Sequence, residues 1–318
     1  MKNIQQYAKQ IETELAQLEL RNKPKELYDP QYYIMGLKAK RLRPALLLAA
    51  HELCGGNLTD ALKPALGIEL FHTFSLIHDD ILDEAPLRRG HETVHKKWNT
   101  NIAILSGDSM LIQAYQLIAA AKQNMPQVLE LFSVTAHEVC EGQQMDMNFE
   151  TTEHVSAEAY LEMIKLKTSV LVGCALKTGA LLAGADEKQA QLLYNFGVDT
   201  GIAFQIQDDL LDSFGKAEDI GKQSGGDILQ DKKTLLLIEA RNTDPQGYLT
   251  ALEGFDSNIE KVNYYKEWFE ASGARQKTEQ TRDAYLQKAL KALEGVQGNE
   301  DIKIELKEFA LWLTQRTH

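Results

Sequence analysis

Long apolar runs are missing from this chain of 318 residues. A membrane-spanning helix needs about 20 consecutive, mostly apolar residues, and no stretch approaches that length. Residues 1–7 also lack the apolar core of a secretory signal. We therefore expect a protein that is neither exported nor stably inserted in a membrane, and we expect it in the cytoplasm.

Cysteine is scarce as well, with only Cys54, Cys140 and Cys174 present. Their wide spacing fits neither a disulfide framework nor a cysteine metal site. A small secreted disulfide scaffold is thereby excluded, and a reducing compartment is the simplest explanation.

Positive charge is in deficit, because 34 Lys and Arg face 46 Asp and Glu and the formal net charge is -12. Nucleic acids and membrane surfaces are anionic and would repel such a chain at long range. We expect no nucleic-acid partner, and an anionic ligand must meet a local cluster of Lys and Arg.

Only seven prolines interrupt the chain, and none lies between Pro126 and Pro245. Apolar residues recur at helical spacing nearly everywhere, as in Leu66, Leu70 and Phe74, and no segment shows sustained strand-like alternation. The length would allow two domains, but no internal repeat and no linker rich in Gly, Ser or Pro divides the chain. We predict an all-α fold in which residues 1–318 form a single large helical bundle.

The prolines also predict helix boundaries. Pro44 is expected at a helix start, and Pro64 and Pro86 are expected to bracket another helix. Pro86 should terminate that helix at about residue 85, since the residue before a proline disfavours helical geometry.

Four acidic residues close the helix that precedes Pro86, namely Asp79, Asp80, Asp83 and Glu84. A helix C-terminus carries partial negative charge, so clustered carboxylates there cost free energy unless a cation is bound. Asp79 and Asp83 are four residues apart and share one helix face, whereas Asp80 is rotated by about 100°. The arrangement favours a hard cation.

The same spacing returns in Asp208, Asp209 and Asp212, at the predicted end of another helix with Gly215 as its cap. One such run is usually a solvated helix face, but two runs that each follow an apolar helix predict metal binding. Magnesium is the expected ion, because it takes one or two carboxylates and completes its shell with water and phosphate oxygens. Carboxylates without His or Cys partners argue against zinc.

Two basic runs accompany the first acidic cluster: residues 38–43 lie upstream, and Arg88 and Arg89 lie downstream. Arginine grips phosphate bidentately, so an acidic metal site flanked by arginines suits a diphosphate. The alternative is surface solubility or neutralisation of the neighbouring acids. His72 lies on the helix face of Asp79, about 10 Å away, which favours a second phosphate site, although a lone histidine there is more often a core residue.

At this point the sequence resembles the trans-type isoprenyl diphosphate synthases, the family of the farnesyl and geranylgeranyl diphosphate synthases. The resemblance runs from about Gly36 to Leu235. It rests on motifs in residues 40–44, 72–89, 142–146, 167–168, 204–212 and 221–232. Ala39 and Leu236 depart from the family pattern without removing a proposed ligand. The resemblance implies a helical fold around a deep central cavity, usually in a homodimer, with the two aspartate motifs facing each other across three magnesium ions.

The resemblance also implies a role for each matching residue. The magnesium set comprises Asp79, Asp80, Asp83, Asp208, Asp209 and Asp212, with Asp79, Asp83 and Asp208 as the direct ligands. The residues expected to hold the allylic diphosphate are Arg88, Lys167, Lys222 and Lys232. The residues expected to hold isopentenyl diphosphate are Lys40, Arg43, His72 and Arg89. The expected catalytic residues are Lys167, Thr168 and Gln205, and of these Thr168 and Gln205 are expected beside the ionising allylic carbon.

The implied reaction is magnesium-dependent prenyl transfer, in which no protein nucleophile takes part. Phe74 precedes Asp79 by five residues and is the expected floor of the product cavity, with Ser75 after it and Phe71 further down. In the family an aromatic residue there accompanies short products. We predict geranylgeranyl diphosphate, with farnesyl diphosphate as the alternative product and ordinary core packing as the competing explanation of Phe74.

Other classes share parts of this pattern. A terpene cyclase or a head-to-head condensing enzyme has paired acidic motifs but no need for Lys40, Arg43 and His72. A non-catalytic partner subunit would be free to lose one acidic cluster, and both are intact here. A metal phosphohydrolase requires further histidine ligands, which His91 and His95 do not supply in a matching pattern.

Overall fold

The computed structural model describes residues 1–215, 225–252 and 254–315, and helices make up nearly all of its regular structure. In chain order the helices are α1 (Lys2–Gln17), α2 (Lys25–Met35), α3 (Leu42–Leu53), α4 (Leu58–Leu82), α5 (Val94–Lys97), α6 (Thr100–Ile118), α7 (Met125–Thr151), α8 (Ala157–Ile164), α9 (Val170–Leu182), α10 (Glu187–Phe214), α11 (Gly226–Leu229), α12 (Leu235–Thr243), α13 (Pro245–Leu252), α14 (Asn258–Ala271), α15 (Ala274–Glu294) and α16 (Glu300–Gln315). The predicted all-α class is confirmed.

Two local features depart from plain α-helix. A π-helical turn, Lys165–Ser169, joins α8 to α9. Strands β1 (Leu87–Arg88) and β2 (His91–Glu92) form a small antiparallel hairpin directly after α4. Both features carry residues that the sequence assigned to the site.

The chain divides into two compact units. The first unit comprises Met1–Ser133, Cys174–Gln191 and Gln297–Glu305. The second comprises Val134–Gly173, Leu192–Val296 and Leu306–His318. The single-domain organisation predicted for residues 1–318 stays a prediction, as does the central cavity.

The core of the first unit follows the helical periodicity of the sequence. Helix α1 buries one face, with Ile4, Tyr7 and Ile11 each nearly inaccessible. Helix α3 is apolar on nearly every side and is almost completely buried, as expected of a helix surrounded by neighbours. These two helices therefore form because burial of their apolar faces stabilises them.

The core of the second unit is rich in aromatic side chains. Tyr265, Trp268 and Phe269 of α14 are buried together, with ring centroids less than 6 Å apart in each neighbouring pair. The Trp268 indole N–H donates to Asp244 Oδ2 at 3.0 Å, so its polar edge is satisfied inside the cluster.

Helix α4 begins and ends at residues other than those predicted. It starts at Leu58, because Asn57 Oδ1 accepts the Thr59 N–H and caps the first turn. Pro64 therefore lies inside the helix rather than at its start, and the prediction that it brackets the helix was wrong. The helix also ends at Leu82, three residues before the predicted end. The prediction that Pro44 lies at a helix start is confirmed, since it occupies the first turn of α3.

No helix in the described part of the chain combines the length and the apolarity that crossing a membrane requires.

One acidic group in the second unit opposes folding at neutral pH. Burial raises the pKa of Asp199 to about 6, and the positive charge of Lys288 only partly offsets this shift. A folded-state pKa above the unfolded value means that the native state binds the proton more tightly. Stability therefore falls as pH rises from about 4 to about 6, and the cost persists at neutral pH.

We expect Asp199→Asn to raise the thermal midpoint at pH 7.5 by about 2 °C, corresponding to about 1 kcal/mol after discounting for the partial exposure of the side chain. At pH 4.5 the gain should shrink to about a third, because this pH lies only a short way into the interval between the unfolded-state pKa of about 4 and the native-state pKa of about 6. Calorimetric melts at both pH values check this, and an equal shift at both would contradict the assignment.

Candidate active site

The first acidic motif closes α4 in a defined turn. The Glu84 N–H donates to the Ile81 carbonyl at 3.2 Å and the Ala85 N–H donates to the Asp80 carbonyl at 3.0 Å, the paired bonds of a Schellman motif. Glu84 occupies the position that glycine usually takes and has a φ of 49°. Asp79 and Asp80 thus lie in the last turn of α4, and Asp83 is its C-terminal cap. The predicted acidic helix end is confirmed.

Asp80 differs in environment from its neighbours in the motif. It is 1% exposed, and Arg88 Nε donates to its Oδ1 at 2.7 Å. Its Oδ2 is buried and has no hydrogen-bond partner. Burial raises the pKa of Asp80, the guanidinium of Arg88 opposes the shift, and the charges of Asp79 and Asp83 add to it. A buried carboxylate oxygen without a donor is a position that a cation stabilises.

The hairpin after α4 fixes both arginines that the sequence singled out. Its two-residue loop consists of Arg89 and Gly90, with φ values of 54° and 79°, as in the turns that match the twist of hairpin strands. Positive φ is ordinary for Gly90 but costs energy at Arg89. Arg88, on β1, reaches back to Asp80, so one arginine of the pair is held by the acidic motif.

A basic cluster forms from Arg43 on α3, His72 on α4 and Arg89 in the hairpin loop. Arg43 Nη1 donates to His72 Nε2 at 3.2 Å, so this ring nitrogen accepts. Burial lowers the pKa of His72 well below its usual value, and the nearby charges of Arg43 and Arg89 lower it further. Burial also lowers the pKa of Arg89, and repulsion from Arg41 adds to the effect. Three of the four predicted isopentenyl diphosphate residues are therefore together. Lys40 lies just before α3.

A row of aromatic side chains in edge and tilted contact runs from this part of α4 through the first unit. Phe74 is half-buried and its ring centroid lies 5.5 Å from that of Phe71, which lies 5.2 Å from Phe132. Phe132 in turn meets Tyr115 of α6 at 4.9 Å. The Ser75 hydroxyl donates to the His72 carbonyl at 2.9 Å. The chain-length residues Phe74 and Phe71 are thus followed by two further aromatic rings, those of Phe132 and Tyr115.

The second acidic motif closes α10, and the Gly215 N–H donates to the Leu211 carbonyl at 2.8 Å, as the predicted cap requires. Asp208 is exposed, whereas Asp209 is buried. The Tyr160 hydroxyl donates to Asp209 Oδ2, and Gln205 Nε2 donates to its Oδ1 at 3.3 Å. Burial raises the pKa of Asp209 well above its usual value, and the charge of Asp227 raises it further. The structure therefore gives Asp208 and Asp209 opposite surroundings.

Asp212, the third residue of this motif, lies at the N-terminus of α11. Its Oδ2 accepts the Asp227 N–H at 2.9 Å, and its backbone carbonyl accepts the Gly225 N–H at 2.7 Å. Burial raises the pKa of Asp212, and the hydrogen bond from the Asp227 backbone opposes the shift. Lys232 Nζ lies 3.2 Å from Asp227 Oδ1, close to the same motif. Lys222 lies outside the described residues.

The π-helical turn presents Lys167 and Thr168. Lys167 Nζ lies 2.6 Å from Asp146 Oδ2 of α7. One helical turn before Asp146 on α7 is Gly142, where an added Cβ would stand 2.2 Å from the backbone nitrogen of Lys167. Gly142 and Asp146 of the motif in residues 142–146 therefore both serve contact with the π-helical turn. Gly142 allows contact with the turn, and Asp146 holds its lysine.

Magnesium fits the donor atoms available. In residues 1–215, 225–252 and 254–315, no three His, Cys, Asp or Glu side chains are arranged to hold a metal ion alone. Magnesium does not need such an arrangement, because one or two carboxylates suffice when water and phosphate oxygens complete the octahedron. The partnerless Oδ2 of Asp80, beside Asp79 and Asp83, is an oxygen donor of the required kind.

Several residues of the site were not assigned a role from the sequence. Tyr160 and Phe132 gave no local signal, since each is one apolar residue within a helix. Glu69, a buried acid three residues before His72, was overlooked because a single acid within an apolar helix forms no motif. Asp146 belonged to a motif that was noticed, but spacing alone did not connect it with Lys167.

Comparison with known proteins defines the class. Residues 24–271 match the family model described as polyprenyl synthetase. A geranylgeranyl diphosphate synthase of Methanosarcina mazei is 43% identical over 221 residues, covering 69% of this chain and 68% of the relative. A geranylgeranyl pyrophosphate synthase of Geoglobus acetivorans is 36% identical over 318 residues, covering 99% of this chain and 98% of the relative. A crystal structure of a geranylgeranyl pyrophosphate synthase superposes with a TM-score of 0.92 at 45% identity, covering 99% of both chains.

The family match and these relatives show that the chain is a prenyltransferase, and its helical fold agrees with that class. The chain belongs to the polyprenyl synthetase family.

Gly142→Ala should displace the π-helical turn, because the new methyl group would meet backbone rather than a flexible side chain. We expect kcat/KM for prenyl transfer to fall by about 100-fold, since a shift of about 1 Å at a reacting group is that costly. Steady-state kinetics measure the loss.

Gly295→Ala is the matched control, because its added Cβ would meet the movable tip of Leu192 at 3.1 Å. It should leave the kinetics unchanged. Wild-type kinetics in Gly142→Ala would show that close contact with the π-helical turn is not required.

Proposed function

We propose that this enzyme condenses isopentenyl diphosphate with an allylic diphosphate, whether dimethylallyl, geranyl or farnesyl, to give geranylgeranyl diphosphate and pyrophosphate. The observation that carries the proposal is the cluster of Arg43, His72 and Arg89 beside the acidic end of α4. The basic cluster can bind the diphosphate of isopentenyl diphosphate directly, without a metal ion. The aspartates at the end of α4 can bind the allylic diphosphate only through metal ions. A terpene cyclase needs only the second kind of site.

In this proposal Arg43, His72 and Arg89, with Lys40, hold isopentenyl diphosphate. The unprotonated ring nitrogen of His72 accepts from Arg43, so the guanidinium is oriented before the substrate arrives. The partial burial of Arg43 strengthens its attraction for phosphate oxygens, because water screens it less, whereas Arg89 is exposed and accessible to the ligand. Bidentate guanidinium contacts then fix the orientation of the diphosphate.

The allylic diphosphate is proposed to be held by Arg88, Lys167, Lys222 and Lys232, together with magnesium on the two acidic motifs. We propose three ions, with ligands drawn from Asp79, Asp80, Asp83, Asp208, Asp209 and Asp212. Bound magnesium would neutralise the charge that develops on the departing diphosphate. The exposure of Asp208 and the partnerless Oδ2 of Asp80 support their inclusion, whereas the two hydrogen bonds of Asp209 favour an indirect role.

The remaining chemistry requires orientation rather than a nucleophile. Lys167, Thr168 and Gln205 are the proposed catalytic residues, and Thr168 and Gln205 are proposed to lie beside the allylic carbon, where their oxygen dipoles stabilise positive charge. The π-helical turn supports this role for Thr168, since such turns often occur at functional positions. The proton released after the double bond attacks passes to the pyrophosphate product.

A twenty-carbon product agrees with the row of aromatic side chains that begins at Phe74 and with the names of the relatives. Phe74 is proposed to stop the growing chain, with Phe71 behind it and the small Ser75 beside it. Several relatives at 36–43% identity carry the name geranylgeranyl diphosphate or pyrophosphate synthase, although one at 37% is named geranylfarnesyl diphosphate synthase. Farnesyl diphosphate as the main product is not favoured by them.

We further propose a cytoplasmic homodimer. Leu105 and Ile112 of α6 are seven residues apart, on one helix face, and are 60% and 61% exposed. An apolar face of this kind is stabilised when a second copy covers it.

The direct test is incubation with magnesium, labelled isopentenyl diphosphate and each allylic starter in turn, followed by chromatography of the dephosphorylated products. We expect extension that stops at twenty carbons. A folded enzyme that extends no starter would refute condensation, and release of phosphate from a single diphosphate would indicate hydrolysis instead.

Phe74→Ala should lengthen the product by at least one five-carbon unit, because it opens space in front of Phe71. The same chromatography measures the change. Phe255→Ala, which removes an equivalent half-buried ring in the second unit, is the control and should leave the product length unchanged. If both variants make the wild-type product, Phe74 is ordinary core.

A further inference from the structure

Arg41 stands between Lys40 and Arg43 in the basic run, yet its surroundings set it apart. Its side chain is 4% exposed, whereas a substrate ligand must be reachable. Its Nη1 donates to Glu69 Oε1 at 2.6 Å. Its Nη2 donates to the Met35 carbonyl at 2.5 Å and to the Leu37 carbonyl at 3.3 Å. Both terminal nitrogens of Arg41 are therefore occupied by protein acceptors, and only its buried Nε has no hydrogen-bond partner.

These bonds connect three separate pieces of chain. Met35 is the last residue of α2, Leu37 lies in the loop that follows, and Glu69 is on α4. Arg41 itself precedes the first residue of α3 and has a φ of 48°, a left-handed conformation that a residue with a Cβ adopts at a cost. The hydrogen bonds of its side chain offset that cost and hold the start of α3 against α4.

The position of Arg43 depends on this attachment. Arg43 is two residues after Arg41, in the first turn of α3, and contacts His72 on α4. Glu69 and His72 are three residues apart on α4, so they lie on one face of the helix. The Arg41–Glu69 pair and the Arg43–His72 pair are thus successive links between the same two helices.

We propose that Arg41 is a positioning residue for the isopentenyl diphosphate subsite: it binds Glu69 and the carbonyls of Met35 and Leu37, and thereby places Arg43 against His72. The proposal rests on the proposed function for the identity of the substrate. Glu69 is the acceptor on which the positioning depends, and neither residue of the pair contacts the diphosphate.

Arg41→Lys keeps the charge and removes the planar fork, since a single ammonium group cannot reproduce the geometry of the three bonds. We expect the KM for isopentenyl diphosphate to rise about tenfold, with the KM for the allylic diphosphate and kcat within twofold of wild type. Arg275→Lys is the matched control, because Arg275 makes two ion pairs in the second unit and should affect neither KM.

Substitution of Glu69 separates positioning from direct attraction. Glu69→Ala removes a negative charge, so a purely electrostatic role for the pair predicts tighter binding of isopentenyl diphosphate, whereas positioning predicts a KM increase like that of Arg41→Lys. Glu69→Gln retains an acceptor for Arg41 and should restore a KM near wild type. If Glu69→Ala does not fold, the KM values of Arg41→Lys and Glu69→Gln for isopentenyl diphosphate still test the positioning role.

Calorimetric titration with inorganic pyrophosphate in the absence of magnesium tests the subsite without catalysis. We expect binding about tenfold weaker in Arg41→Lys than in wild type. A lowered thermal midpoint with unchanged KM and pyrophosphate affinity would show that Arg41 is only structural, and equal increases in both KM values would also overturn the proposal. If the wild type makes no product but Arg41→Lys still weakens pyrophosphate binding, the positioning role stands and the proposed reaction falls.

Discussion

Repulsion between like charges that lie close together is the constraint on which the rest of this structure depends. Carboxylates gather at the negative ends of α4 and α10, and arginines gather around His72. Neither arrangement is favourable by itself in surroundings that screen charge poorly. The protein limits the cost with a few opposite pairs, such as Arg88 with Asp80 and Arg41 with Glu69. The charge that remains unbalanced is what we propose attracts metal cations at one place and phosphate at the other.

Much of the fold was predictable, because helices are specified locally. The spacing of Ile4, Tyr7 and Ile11 is enough to predict α1 and the face that it buries. The acidic ends of α4 and α10 were predictable for the same reason, since a proline or a glycine follows each. Pro64 misled the prediction because Asn57 caps the helix about two turns earlier, and the burial of many residues of this long helix, Pro64 included, outweighs the cost of one proline.

The sequence was enough to predict which residue types form the site, but not which of these residues are buried and which are exposed. Asp79 and Asp80 are adjacent in sequence, as are Asp208 and Asp209, yet one member of each pair is buried against a partner. Which member is buried depends on Arg88 and Tyr160, which other segments supply. Spacing within the basic run likewise does not show that Arg41 turns inward, because that depends on Glu69 from a different helix.

The π-helical turn between α8 and α9 fixes the length of its stretch of chain. A π-turn holds one more residue than an α-turn, and each residue advances a helix by about 100°. Losing one residue between Tyr160 and Val170 would therefore rotate one helix relative to the other. Tyr160 could then no longer face Asp209 while Lys167 faces Asp146. We expect the irregular loop at residues 152–156 to accept insertions or deletions, as surface loops do. The number of residues in the π-helical turn, in contrast, sets the rotation of α8 relative to α9.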